Sequence, residues 1–472
     1  MIILMRIIIF VLLMLPAVLF AQESDFDEVK RLAEQGQVDA QNELGAMYAN
    51  GNGVPENDAE AVNWFRLAAE QGSETAQFVL GIMYDNGEGV PENDAEAVKW
   101  YRLAAEQGDA DAQLNLGLMY ASGYGVPENN VEAVKWYRLA AEQGQIDAIA
   151  ELGVMYWGGY GVPENNVEAV KWFRLAAEQG SAIAQHVLGV IYDLGESGVP
   201  ENDAEAVKWF RLAAEQGQAS SQYKLGVMYA NGNGVPENDA EAVKWFRLAA
   251  EQGQASSQFK LGVGYFSGEG VPENYVEAVK WFRLAAEQGD ADAQYNLGVI
   301  YNDGFGVPEN DAEAVKWFRL AADQGNAFAQ YNLGVMYASG YGVPENNVEA
   351  VKWYRLSAEQ GQASAQSNLG NAYRDGNGVP ENYAEAVKWK RLAAEQGQIV
   401  AQADLGAMYF NGEGVPEDYL TAYVWTSVSA AQGNQLAKGN VEIIKGTLTN
   451  EQLVQGQVLA SKCFESNFKD CP

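Results

Sequence analysis

Histidine occurs once in this chain, at His186, and cysteine twice, at Cys463 and Cys471. That scarcity excludes a zinc site with several His or Cys ligands and makes a Ser-His-Asp or Cys-His nucleophile hard to assemble. Basic residues are also few: 30 Lys plus Arg stand against 64 Asp plus Glu, a formal net charge of −34. Such a field disfavours a nucleic-acid backbone and bare anionic lipid, so no nucleic-acid partner is expected. It suits a basic protein partner or divalent cations, and it keeps a long chain soluble.

A long apolar run is missing as well. The stretch from Ile7 to Phe20 falls short of the roughly 20 residues that span a bilayer. The apolar run from Ile7 to Leu15 follows Met1-Ile-Ile-Leu-Met-Arg6 and precedes Pro16 and the small Ala21, a pattern that reads as a secretory signal over residues 1–21, cleaved between Ala21 and Gln22. Cleavage removes only Arg6 among charged residues, giving 29 − 64 = −35 and leaving no stable membrane anchor. No Cys lies near that point to carry a lipid. The expected location is outside the cytoplasm, periplasmic or secreted. In an exported chain the closely spaced Cys463 and Cys471 are expected to form one disulfide, which would pin the tail and add about 2–3 kcal/mol. The pair lacks the C-x-x-C spacing of a redox dithiol.

What the chain has in abundance is repetition. Eleven Leu-Gly pairs, from Leu44-Gly45 to Leu405-Gly406, recur every 36 residues, with one step of 37 where Ser197 lengthens a loop. Each unit reads as two helices. In the copy beginning at Pro91, Asn93 and Glu96 have capping-box spacing and Gly108 stops the first helix, while Asp109 can cap the second. At about 100° per residue, Glu96, Lys99, Arg102 and Glu106 share one sector, and Ala97, Val98, Trp100, Tyr101, Ala104 and Ala105 fill the opposite one. Arg102 and Glu106 have the spacing of an i, i+4 ion pair. Gly117 stands inside the second helix at a cost near 1 kcal/mol, which points to a neighbour approaching too closely for a side chain.

A 36-residue pair is too small to bury its Trp, aromatic and Leu residues alone, so copies must stack. The expected fold is all-α, an α-solenoid of about eleven helix-turn-helix repeats. The first helix, from Phe26 to Gln35, has Glu28 in the Trp position and reads as a starting cap. Thr449-Asn-Glu-Gln452 opens an extra helix at the other end. Residues 22–435 form the repeat region and 436–472 the capping helices with a disulfide-closed tail. Ser197 is expected to bulge its loop between Gly195 and Gly198 and leave the helices in register.

The pattern Ala-x-x-Trp-(Phe/Tyr)-Arg-x-Ala-Ala-x-x-Gly, followed by Ala-Gln-x-x-Leu-Gly-x-x-Tyr-x-x-Gly-x-Gly-Val, resembles the Sel-1-like repeat over about residues 25–435. The resemblance implies a right-handed superhelix related to tetratricopeptide arrays and a role as a protein-interaction scaffold in an exported bacterial branch. It names no partner.

Candidate chemistry is thin. His186 occupies a position held elsewhere by Phe78, Leu114, Tyr223 or Tyr295, which marks it as a packing substitution. Acidic loops such as Asp85-Asn-Gly-Glu88 lack EF-hand spacing. Ser221-Gln-Tyr-Lys224 and Ser257-Gln-Phe-Lys260 match S-x-x-K, the serine–lysine element of penicillin-recognising enzymes, and some cysteine-rich relatives of the repeat family are associated with penicillin binding. The companion S-D-N and K-T-G elements are missing, and both serines replace the Ala of the repeat pattern. A non-catalytic protein with no cofactor is therefore expected. Variation between copies concentrates in the second helix and the loop after it, where Tyr124, Trp157, Tyr160, Phe305 and Tyr341 are the candidate partner contacts. The partner is expected to be an envelope or host protein bound by a monomer, with cell-wall glycan as the alternative ligand, since aromatics recur there at regular spacing.

Near-identical copies imply that copy number can change without loss of fold. A chain lacking one internal 36-residue copy should keep its helicity per residue and melt cooperatively by circular dichroism; a fall in helicity per residue would count against independent, stackable units.

Overall fold

The computed structural model describes residues 26–196 and 198–472. The expected signal with its Ala21–Gln22 boundary, and Ser197, lie outside the described residues. Among those described there are 25 helices and no strand, an α-solenoid of paired helices. Two compact units divide at Glu237 and Asn238. The first holds the described helices from Phe26–Glu34 to Ala219–Asn231, the second those from Asp239–Glu251 to Asn450–Glu465.

In each copy, helix A and helix B follow the sequence signals. For the copy at Pro91, helix A is Asp94–Gln107 and helix B is Ala110–Ser122. Asn93 accepts the Glu96 amide at 3.2 Å, and Asp109 accepts that of Ala112 at 2.6 Å, each satisfying an orphan donor of a first turn. Only half of the expected capping box forms at Asn93, for a clear reason. Its own N–H already donates to the Tyr84 carbonyl at the end of the previous helix B, 2.8 Å away, so Glu96 turns to Lys99. The full box forms at Thr449 and Gln452, where the terminal helix starts.

The core is shared between copies. Trp100 packs on the cluster built from Val62, Phe65 and Leu80 of the preceding copy, and Trp136 on that of Val98, Tyr101 and Leu116. Trp353 and Trp389 do the same in the second unit. The residue after each Trp explains the helical glycine: a Cβ on Gly117 would lie 2.5 Å from the Tyr137 ring, and one on Gly298 2.4 Å from Phe318. The close neighbour is an aromatic face from the next copy, seated on bare helix backbone.

A polar seam runs beside this apolar one. Buried Gln77 donates to the Ala69 carbonyl at 3.1 Å and accepts from Gln107 of the next copy at 2.7 Å. Gln294, Ala286 and Gln324 repeat the arrangement at 3.0 and 2.7 Å. These buried seam glutamines therefore have partners, as low-dielectric burial requires. In the copy starting at Ile146, the buried Ile149 stands in place of this glutamine and removes a rung.

Around the 37-residue step the helices keep their register: Asn202 donates to the Tyr192 carbonyl at 2.8 Å and Phe210 seats on Gly189. The loop itself differs. Gly89 runs so close to Asp58 that a Cβ would be 2.3 Å from its carbonyl oxygen, whereas nothing lies within 4 Å of that point at Gly198.

The copy containing Gly370 replaces the seated ring by a charge. The stem of fully buried Lys390 covers Gly370, and its amine bonds Asp404 and, at 3.0 Å, the Ser367 hydroxyl. Asp404→Asn leaves that cation under-compensated and should cost about 3 kcal/mol by denaturant unfolding. Adding Lys390→Phe, which restores the pattern of the other copies, should recover most of the loss; a double variant as unstable as Asp404→Asn would mean the ion pair is not what holds this junction.

Candidate functional site

Ser221 and Ser257 lie in the B helices Ala219–Asn231 and Ala255–Ser267, fully buried at positions where other copies have Ala112 or Ala293. Neither is set against its motif lysine. The Ser257 hydroxyl donates to Gln254 at 2.9 Å, and Lys224 pairs with Asp193 at 3.0 Å. Sequence reasoning missed one contact: His186 Nδ1 is 2.8 Å from the Ser221 hydroxyl. The signal was available, because the two stand 35 residues apart on successive B helices, almost one period. In this pair Ser221 is fully buried and His186 half-buried. A nucleophile must meet its substrate at about 3–3.5 Å, and a hydroxyl with no solvent exposure offers no such approach. His186 also packs on Phe210, 5.7 Å between ring centres, and burial, aided by the Lys224 charge, lowers its pKa below the ordinary 6.5. No group of three or more His, Cys, Asp or Glu arranged for a metal occurs among the described residues, and no described helix is long and apolar enough to cross a membrane.

On the exposed side of helix A the charges pair otherwise than the i, i+4 spacing suggested. Glu96 bonds Lys99 three residues on. Arg102 reaches across to helix B, donating Nη2–H to the Tyr120 hydroxyl at 2.6 Å with its guanidinium 5.8 Å from the ring centre. The planar fork gains a hydrogen bond and a ring contact that exposed Glu106 cannot give. Ten copies repeat this Arg–Tyr bond, 18 residues apart.

The five loop aromatics fall into two groups. Tyr124, Tyr160 and Tyr341 are 47 %, 46 % and 58 % exposed. Trp157 is half-buried, edge-on to Phe173 with ring centres 6.1 Å apart. Phe305 is likewise half-buried, 5.7 Å from Phe266 and 5.3 Å from Tyr275. Trp157 and Phe305 thus pack on neighbouring rings.

At the end of the chain Cys463 and Cys471 are joined as a disulfide, with Cα atoms 4.6 Å apart. A Pro472 α-carboxylate oxygen accepts from Arg391 Nη1 and from Trp425 Nε1, both at 3.0 Å. In seven other copies the equivalent indole N–H, as in Trp136 and Trp353, is buried with no acceptor in the protein.

The Sel1 repeat model matches eleven consecutive segments, from residues 38–73 to 399–434. The chain is 40 % identical to a protective antigen present in uropathogenic Escherichia coli strains that displays an SLR fold, over 94 % of this chain and 96 % of that one, with a TM-score of 0.84. A Sel1 repeat protein from Oxalobacter formigenes is 34 % identical over 66 % of this chain and 89 % of its own, with a TM-score of 0.51. No curated protein matches the chain.

Two buried titratable groups give opposite pH signatures. His186 is held neutral, so the unfolded chain binds its proton first and stability falls as pH drops below 6.5. Burial, with Asp147 nearby, pushes Glu151 up to about 7 from 4.5, so its contribution is lost as pH rises through that interval. In chemical denaturation at pH 5 to 8, His186→Tyr should remove the first slope and Glu151→Gln the second, the latter gaining about 1–3 kcal/mol at pH 8. Unchanged slopes would mean that these groups titrate as exposed ones do.

Proposed function

The chain belongs to the Sel1-repeat family, and from that premise we propose that it is an exported, non-catalytic scaffold that binds a protein partner through side chains on its repeat surface. Proteins of this family are generally protein-interaction scaffolds. The observation that carries the proposal is the row of exposed loop tyrosines, Tyr124, Tyr160 and Tyr341, set at one position of the repeat. Within the first unit, helices fix the spacing of Tyr124 and Tyr160, and a tyrosine offers a large contact surface at small entropic cost. Half-buried Trp157 and Phe305 brace the same loops. Full burial of Ser221 and Ser257 supports a binding role over hydrolysis.

Three observations support export: the signal-like residues 1–21, the disulfide-bonded cysteine pair, and the description of the Escherichia coli relative as a protective antigen. A protective antigen meets the host, so a host protein, or an envelope protein on the way to it, is the partner class. With a net charge of −34 the partner is expected to present a basic face to a monomer. Cell-wall glycan is the second ligand class, favoured by the same recurring tyrosines.

The test is affinity capture by the chain from Gln22 to Pro472, from envelope extract and from host serum, with bound proteins identified by mass spectrometry. A saturable partner is expected, weakened about tenfold by each of Tyr124→Ser, Tyr160→Ser and Tyr341→Ser. Retention on purified peptidoglycan with no protein captured would favour the glycan ligand, and labelling by a fluorescent penicillin, abolished in Ser221→Ala, would overturn the non-catalytic role.

A further inference from the structure

The chain carries at its own end what its repeat surface is built to take. The terminal helix, Asn450–Glu465, packs on helix A Tyr419–Ala431, with Gly456 against the Tyr423 ring. Beyond it the backbone reverses through Asn467 and Phe468, at φ 53° and 68°, and residues 468–472 lie back along the preceding copy. Three contacts seat them. The Phe468 ring covers Gly397, the glycine that ends helix A Tyr383–Glu395, so closely that a Cβ there would be 2.9 Å away. A Pro472 α-carboxylate oxygen takes the free arm of the Arg391 fork, whose other arm holds Tyr409. The same oxygen takes the Trp425 indole N–H.

These three groups recur together. In the copy of Arg102, the guanidinium holds Tyr120 by one arm, nothing lies within 4 Å of the Cβ position of Gly108, and the next copy's Trp136 has a buried indole N–H without an acceptor. Arg355, Gly361 and Trp389 repeat the set in the second unit. Seven copies carry it in all. A buried N–H without an acceptor is destabilising by about 1–3 kcal/mol, which a carboxylate oxygen at that point would relieve. Exposed Leu103 and Leu356 follow each arginine and add apolar floor. Lys135 stacks over the Trp136 ring at 5.3 Å and, being solvent-exposed, swings aside at small cost. The register it occupies is Val424 beside the tail.

We infer that each Arg–Gly–Trp notch binds the carboxyl-terminal turn of a protein partner, an aromatic side chain entering over the glycine and the terminal carboxylate four residues later bridging the arginine and the indole. The tail is the intramolecular example of that ligand. This rests on the protein-binding role proposed above and assigns it a second surface, separate from the loop tyrosines.

The probe is the disulfide-closed decapeptide of residues 463–472, labelled at its amino terminus and titrated by fluorescence anisotropy and calorimetry against the full chain. Several equivalents per chain are expected, with at least a tenfold loss of affinity for the Phe468→Ala peptide. Trp136→Phe with Trp353→Phe, which keeps both rings and removes two N–H donors, should lower the count by two at unchanged helicity. No binding at millimolar peptide would overturn the inference. So would a single equivalent abolished by Arg391→Ala, which confines the site to the terminal notch, or equal binding of the Phe468→Ala peptide. Partner capture through the loop tyrosines does not depend on these indoles, so failure here leaves that result standing.

Discussion

Everything in this molecule depends on an aromatic ring of one copy resting on a bare glycine of the copy before. The Leu116-Gly117 step gives a flat patch of helix backbone, Tyr137 lies on it, and the neighbouring Trp136 closes the core of that earlier copy. Neither partner has a substitute within its own 36 residues. Removing the side chain at the glycine costs helix propensity and returns far more by burying a ring on each side of the junction. The same requirement explains why the chain needs a start and a finish. A first helix with Glu28 in the Trp position has no earlier core to close, and it pairs that carboxylate with Arg31 in water.

Specificity comes from polar groups threaded through the apolar contact. The glutamine seam joins copy to copy by amide bonds near 2.7 Å that exist only when helix A and the preceding helix B are in register. A slip by one residue would strand buried amides, so the seam fixes the pairing that ring burial alone would leave loose. Lys390, Asp404 and Ser367 show how far the position tolerates change. A charge enters the most buried site of the repeat when acceptors arrive with it on two neighbouring helices.

Helix limits, caps, the Trp register and the terminal helix were legible because each rests on local chemistry: Asn93 before Glu96, Gly108 after Gln107, Thr449 before Gln452. What was not legible lies between copies. Arg102 has a plausible partner at Glu106 in its own helix, and only the fold brings Tyr120 over it, 18 residues away. Helix-wheel placement predicts neither the half-formed box at Asn93, whose N–H is claimed by Tyr84, nor the contact of His186 with Ser221. Exposure divides the loop aromatics in a way composition does not, since Phe305 finds Phe266 and Tyr275 while Tyr341 has water. The tail was read as a staple, and its terminal carboxylate proved to complete a hydrogen-bonding set whose donors the helices repeat.

The missing rung at Ile149 has a kinetic side. Contacts in this chain are short in sequence, so folding can nucleate in any pair of copies and spread by docking the next. Spread depends on how strongly each junction rewards the newcomer. Where Gln179 would have met a glutamine it meets isoleucine, and the following junction carries the lengthened loop with Gly198 released from its neighbour. Two weakened steps in succession form a natural boundary at which an advancing helical front pauses, with the copies before it folded while those after it are still to dock.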